Sequence, residues 1–151
     1  MKRQRIRTVA AAVAVVLGAC GGVTHRTSPA VAPSGPTLPP VVAAWLRHEN
    51  ATSGIGHGTS ADWVLTTRED GAQLFSGAII HDRSPVYLFD VHGHFMWDHS
   101  CPPGAPRSAC VSVGEHEQFT FDPKRMEIED FGIDGRGASL AKLGAVGHVS
   151  L

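Results

Sequence analysis

The chain has 151 residues, with 13 Lys+Arg against 14 Asp+Glu and three cysteines. Four of the basic residues, Lys2, Arg3, Arg5 and Arg7, lie at the start, so from Cys20 onward nine face fourteen acidic side chains, a net charge of −5. That sign, with no basic stripe, argues against nucleic acid as a partner, and the length allows one hydrophobic core but not two.

Residues 8–17, Thr-Val-Ala-Ala-Ala-Val-Ala-Val-Val-Leu, form an uncharged apolar run behind the positive start, the order and size of a secretion signal. A membrane-spanning helix needs about 20 apolar residues, and Gly21-Gly22 end this run sooner. Leu17-Gly18-Ala19-Cys20 closes it. Small residues ahead of a cysteine let an extended backbone enter a peptidase and then present a thiol for acylation. This pattern resembles the lipobox of bacterial lipoproteins. The resemblance implies a signal peptide at 1–19, lipid on Cys20, and a protein anchored through membrane lipid at the extracytoplasmic face of the cell membrane. The alternatives are an ordinary secretory signal with a chance cysteine, or an uncleaved anchor. No twin-arginine pair is present, which favours the general secretion route.

If Cys20 carries lipid, Cys101 and Cys110 remain in an oxidising compartment and are expected to pair as a disulfide. The competing arrangement is two thiols beside His99, forming a metal corner. Residues 20–40 carry Pro29, Pro33, Pro36, Pro39 and Pro40 among Ser, Thr and Gly. They read as a disordered Pro-rich linker that holds a domain off the lipid. A single domain then runs over 41–151.

Within it, Pro40 suits the first position of a helix, and Val42, Trp45 and Leu46 at helical spacing predict a short amphipathic helix over 41–50. Residues 52–60, rich in Gly and Ser, read as loop. Their Gly54-Ile55-Gly56-His57-Gly58 lacks the lysine of a phosphate loop. Asp62 to Thr66 reads as a strand. Thr67 is placed to cap a short helix with Asp70 three residues on, and Gly77 is placed to stop it. Ala78 to His81 reads as another strand, and Asp82-Arg83-Ser84-Pro85 as the turn after it. Val86 to Trp97 is the clearest strand, with Tyr87, Phe89, Val91, Phe95 and Trp97 on the core face and Asp90, His92, His94 and Asp98 on the other. Val111–Val113 and Gln118–Phe121 are strand-type, and 117–131 predicts a hairpin about the turn Asp122-Pro123-Lys124-Arg125. Ala138 to Leu143 suits one helical turn, and Ala145 to Leu151 is strand-like. The sum is an α+β domain, a small curved antiparallel sheet packed on one or two short helices.

Several short pieces, Pro85-Val86-Tyr87-Leu88, Gly93-His94-Phe95, Pro102-Pro103-Gly104-Ala105, Asp130-Phe131-Gly132-Ile133 and Leu143-Gly144, resemble a group of uncharacterised actinobacterial lipoproteins and secreted proteins. The resemblance implies a shared domain and brings no catalytic residue with it. The 117–131 hairpin also resembles the strand-turn-strand of PepSY-like and cystatin-like secreted domains, which by itself transfers no function.

The strongest chemical constellation is Asp90, His92 and His94. Period two places all three on one strand face, and two imidazoles with a carboxylate suit Zn²⁺ or Cu²⁺. The alternative is a solvated strand face, with Gly93 marking a bulge. The serines at 84, 100, 108 and 112 sit in no G-x-S-x-G pattern. The acidic pairs Glu115 with Glu117 and Glu127 with Glu129 read as the wet face of a hairpin. Trp97 beside the Pro-rich loop suits a contact patch or plain core. The expectation is a non-catalytic binding domain for an unknown envelope protein or ligand, without a cofactor. The alternative is an envelope lipoprotein that binds Zn or Cu through Asp90, His92 and His94.

Overall fold

The computed structural model describes residues 35–151. The expected signal peptide at 1–19, Cys20 and the expected linker as far as residue 34 lie outside the described residues. Two helices and five strands follow in the order α1 (Pro40–Thr52), β1 (Gly56–Thr67), α2 (Arg68–Ser76), β2 (Pro85–Asp98), β3 (Val111–Asp122), β4 (Glu127–Asp134) and β5 (Gly147–Ser150). The strands form one open antiparallel sheet ordered β4-β3-β2-β1-β5. This is the α+β architecture that the sequence pattern predicts.

Helix α1 covers one face. Pro40 opens it, where a missing N–H costs nothing, and Val42, Ala43 and Leu46 are buried. They meet Trp63, Tyr87, Phe89, Phe119 and Phe121 from three neighbouring strands. Trp45 stacks on Phe121 with ring centroids 3.9 Å apart, and Phe89 lies 5.3 Å from Phe119. Packing begins ahead of the helix, since Leu38 belongs to the same cluster.

The other face is covered by α2 and the 138–146 segment. Val64, Leu88 and Leu140 are buried there, with Leu74, Ala138, Leu143 and Val146 around them. Thr67 caps α2 by accepting the Asp70 N–H at 3.2 Å, and Gly77 ends it in the left-handed conformation at φ 70°. Gly71 lets the helix lie close to the sheet, because a Cβ there would meet Thr120 Cγ2 at 3.3 Å. The helical turn expected at 138–143 is a short 3-10 turn, Leu140–Lys142.

Three expectations are corrected. Residues 56–60 belong to β1, because the Asn50 amide holds both the N–H and the carbonyl of Gly58 and the strand continues opposite His94 and Phe95. Ala78 to His81 is not a strand. Its neighbour β2 already has partners on both edges, so the segment only returns the chain, while Asp82 and Ser84 carbonyls accept the first N–H groups of α2. Trp97 does not share the core burial of Phe95: it is 40% exposed against 2% and stands edge-on to Phe131.

Cys101 and Cys110 form a disulfide, with Cα atoms 5.2 Å apart. The bond ties the end of β2 to the start of β3, so these cysteines are not free thiols for a metal corner with His99.

Replacing Phe89, which is 0% exposed, by Ala removes the centre of the aromatic layer. The expected loss is about 3–5 kcal/mol of unfolding free energy, read from urea denaturation. Ile79→Ala, at an 82% exposed site, should change it by less than about 0.5 kcal/mol.

Candidate metal centre

On the face away from α1, the strand registers bring acidic and imidazole side chains into two adjacent rows. Asp62 on β1 is the direct partner of Asp90 on β2 and of His148 on β5. His92 on β2 is the direct partner of His116 on β3. Direct partners in an antiparallel pair project to the same side, so four strands contribute to one cluster.

Asp90 is 3% exposed. Its Oδ1 accepts from His116 Nδ1 at 2.9 Å, and its Oδ2 accepts the Ala138 N–H at 2.8 Å. Gly137 closes over this pair, since a Cβ there would lie 2.5 Å from Asp90 Oδ2 and 2.9 Å from His116. The His92 and His116 rings are 4.9 Å apart between centroids. His92 Nε2 approaches Asp62 Oδ2 at 3.3 Å but forms no aligned hydrogen bond, and that nitrogen is shut off from solvent. Asp62 Oδ1 accepts from His148 Nδ1 at 2.8 Å.

Ligand atoms of Asp90, His92 and His116 all lie within 4.8 Å of one another. Two imidazoles and a carboxylate at this range can converge on one first-row divalent ion. The residues fit the chemistry for a second reason. Two carboxylates directly opposite on a sheet repel, and a cation between the rows offsets that cost.

The structure therefore keeps Asp90 and His92 from the expected trio and replaces His94. Between His92↔His116 and Phe95↔Gly114, β2 carries one residue more than β3. At this bulge the pairing with β3 shifts, and His94, exposed, is the direct partner of His57 on β1. Glycine is required at 93, because a Cβ would strike the carbonyl of His57 and the Cα of Gly58. Of the other candidates, Asp98 pairs with Arg107 at 3.5 Å, His99 lies beside Trp97, and Ser84 donates to Asp82 at 2.7 Å. His116 has the parity of Gln118 and Thr120 against Phe119 and Phe121, so its face was legible. Its partner was not, because register between distant strands leaves no mark in one sequence. The same holds for Asp62 and His148.

The pair Glu115 and Glu117 divides. Glu115 is exposed, but Glu117 is buried on the face of Phe119 and α1. Burial first, and then the charge of Glu49, push its carboxyl up to about 7. It is not part of a wet face.

No protein-family profile, curated protein or solved structure matches the chain.

The raised Glu117 carboxyl fixes a sign. The folded state holds this proton more tightly than the unfolded chain, so the group's contribution is complete below about pH 4.5 and is lost as pH rises through about 7. Glu117→Gln should match the wild type in urea midpoint near pH 5 and exceed it at pH 8.

Proposed function

We propose that this chain is a lipid-anchored extracytoplasmic lipoprotein whose folded domain binds a first-row divalent metal, Zn²⁺ or Cu²⁺, at Asp90, His92 and His116. The observation that carries the metal reading is the convergence of these three side chains from two strands within 4.8 Å. The anchoring rests on the basic and apolar start and on the Leu17-Gly18-Ala19-Cys20 pattern, and the Cys101–Cys110 disulfide agrees with an oxidising compartment. The proposed role is binding of the ion; carboxylates stand beside the cluster's imidazoles, an arrangement that orients metal ligands.

His116 and His92 supply nitrogen donors. Asp90 supplies a carboxylate oxygen, held in place through its other oxygen by the Ala138 N–H. Membrane lipid is the partner at Cys20. An envelope protein that delivers or receives the ion is the natural second partner.

Full-length protein purified without a His tag should carry or take up one Zn²⁺ per chain, measured by elemental analysis. At 100 times Kd the ion should add about 2.7 kcal/mol of stability, read as a higher melting temperature. His92→Ala with His116→Ala should abolish both effects, whereas His94→Ala should leave them intact. Metal-free protein with unchanged melting in added Zn²⁺ and Cu²⁺ would end the proposal. Intact-mass measurement should find the mature chain beginning at Cys20 with fatty acid attached, and Cys20→Ser should lose the lipid and release the protein from membranes.

A further inference from the structure

We propose that Asp62 is a positioning residue of this centre: it stands outside the ion's ligands, accepts the Nε2–H of His92, and so turns Nδ1 of that ring to the ion. The proposal rests on the metal-binding reading above and adds which nitrogen of His92 binds and what fixes it.

Strand order separates the two sides of His92. Its strand β2 lies between β1, which carries Asp62, and β3, which carries His116. His92 Nε2 is 3.3 Å from Asp62 Oδ2, so this nitrogen is turned towards β1. The two nitrogens of an imidazole point away from each other, and the partner of one decides the role of the other. Nδ1 is therefore the nitrogen turned towards β3, where His116 stands as the direct partner of His92. Asp90 leans the same way, since its Oδ1 accepts from His116 Nδ1 at 2.9 Å. Among the described residues, the donors that lie within 4.8 Å of one another are those of Asp90, His92 and His116, without Asp62.

Burial gives the second argument. His92 Nε2 is shut off from solvent and has no aligned hydrogen bond among the described residues. A buried polar nitrogen needs a partner, and Asp62 Oδ2 is the acceptor beside it. At 3.3 Å the pair is long and off line for a hydrogen bond, so a small turn of the ring closes it. A ring that binds an ion through Nδ1 carries its proton on Nε2, and the carboxylate then accepts it.

Asp62 is itself held. It pairs directly with His148 on β5, and its Oδ1 accepts from His148 Nδ1 at 2.8 Å. That bond orients the carboxylate and leaves Oδ2 for His92. Outer carboxylates of this kind fix the orientation and tautomer of a ligating ring and raise its basicity. The line from His148 through Asp62 to His92 thus lets the last strand act on the ion without touching it.

The test uses full-length, tag-free protein with NMR-active nitrogen in its histidine rings, loaded with Zn²⁺. Proton–nitrogen correlations should place the ion on Nδ1 of His92 and a slowly exchanging proton on Nε2. Asp62→Ala should still take one Zn²⁺, about 10–100-fold more weakly in competition with a chromophoric chelator, and its His92 Nε2 proton should exchange faster. Asp62→Asn keeps an acceptor oxygen without the charge and should fall between the two. If Asp62→Ala melts below wild type without metal, Asp62→Asn decides. Zinc on Nε2 of His92, or variants that match the wild type in affinity, overturn the role of Asp62 and leave the three-ligand site standing. Wild type that takes up no Zn²⁺ overturns both.

Discussion

The register between β1 and β2 is the constraint on which the rest depends. One alignment places Trp63 against Phe89 and Ala61 against Val91 on the face that α1 covers, and Asp62 against Asp90 on the other. A slip by one residue would exchange the two sets, turning the rings away from α1 and both carboxylates towards it. The aromatic layer therefore fixes the geometry of the polar cluster behind it. In that cluster the facing carboxylates accept from His116, His148 and the Ala138 N–H.

Most of the fold was legible in local pattern. Pro40, the Thr67 and Asp70 pair and Gly77 marked the two helices because capping and backbone freedom are short-range matters. The alternation from Val86 to Val91 marked the central strand, and Asp122-Pro123 marked the turn into β4. Two segments deceived. Ala78 to His81 has strand composition but lies outside the sheet, where the chain returns so that the Asp82 and Ser84 carbonyls accept the first N–H groups of α2. Gly56 to Ser60 has loop composition but is strand, because small residues let the backbones of β1 and β2 and the Asn50 amide close up. In both cases tertiary pairing overrode local preference.

The site was half legible. Asp90 and His92 could be named because they sit on one regular stretch of strand. His94 was included by extending the period of two across a bulge, and Gly93 was the residue that signalled the irregularity. His116, Asp62 and His148 depend on which strand lies beside which, and that information resides in the whole sheet. Glu117 has the parity of Phe119 and Phe121, so its face could be read, but the approach of α1 with Glu49 could not.

The partnership of His148 with Asp62 spans 86 residues, whereas the disulfide spans nine. Loop-closure entropy grows with such separations, and contacts between distant parts of a chain slow folding. The short β5, four residues long, thus has the least entropic leverage of the five strands and docks onto an edge that β2 must first hold in place. The polar cluster is therefore complete only when β5 is paired with β1 and His148 stands beside Asp62.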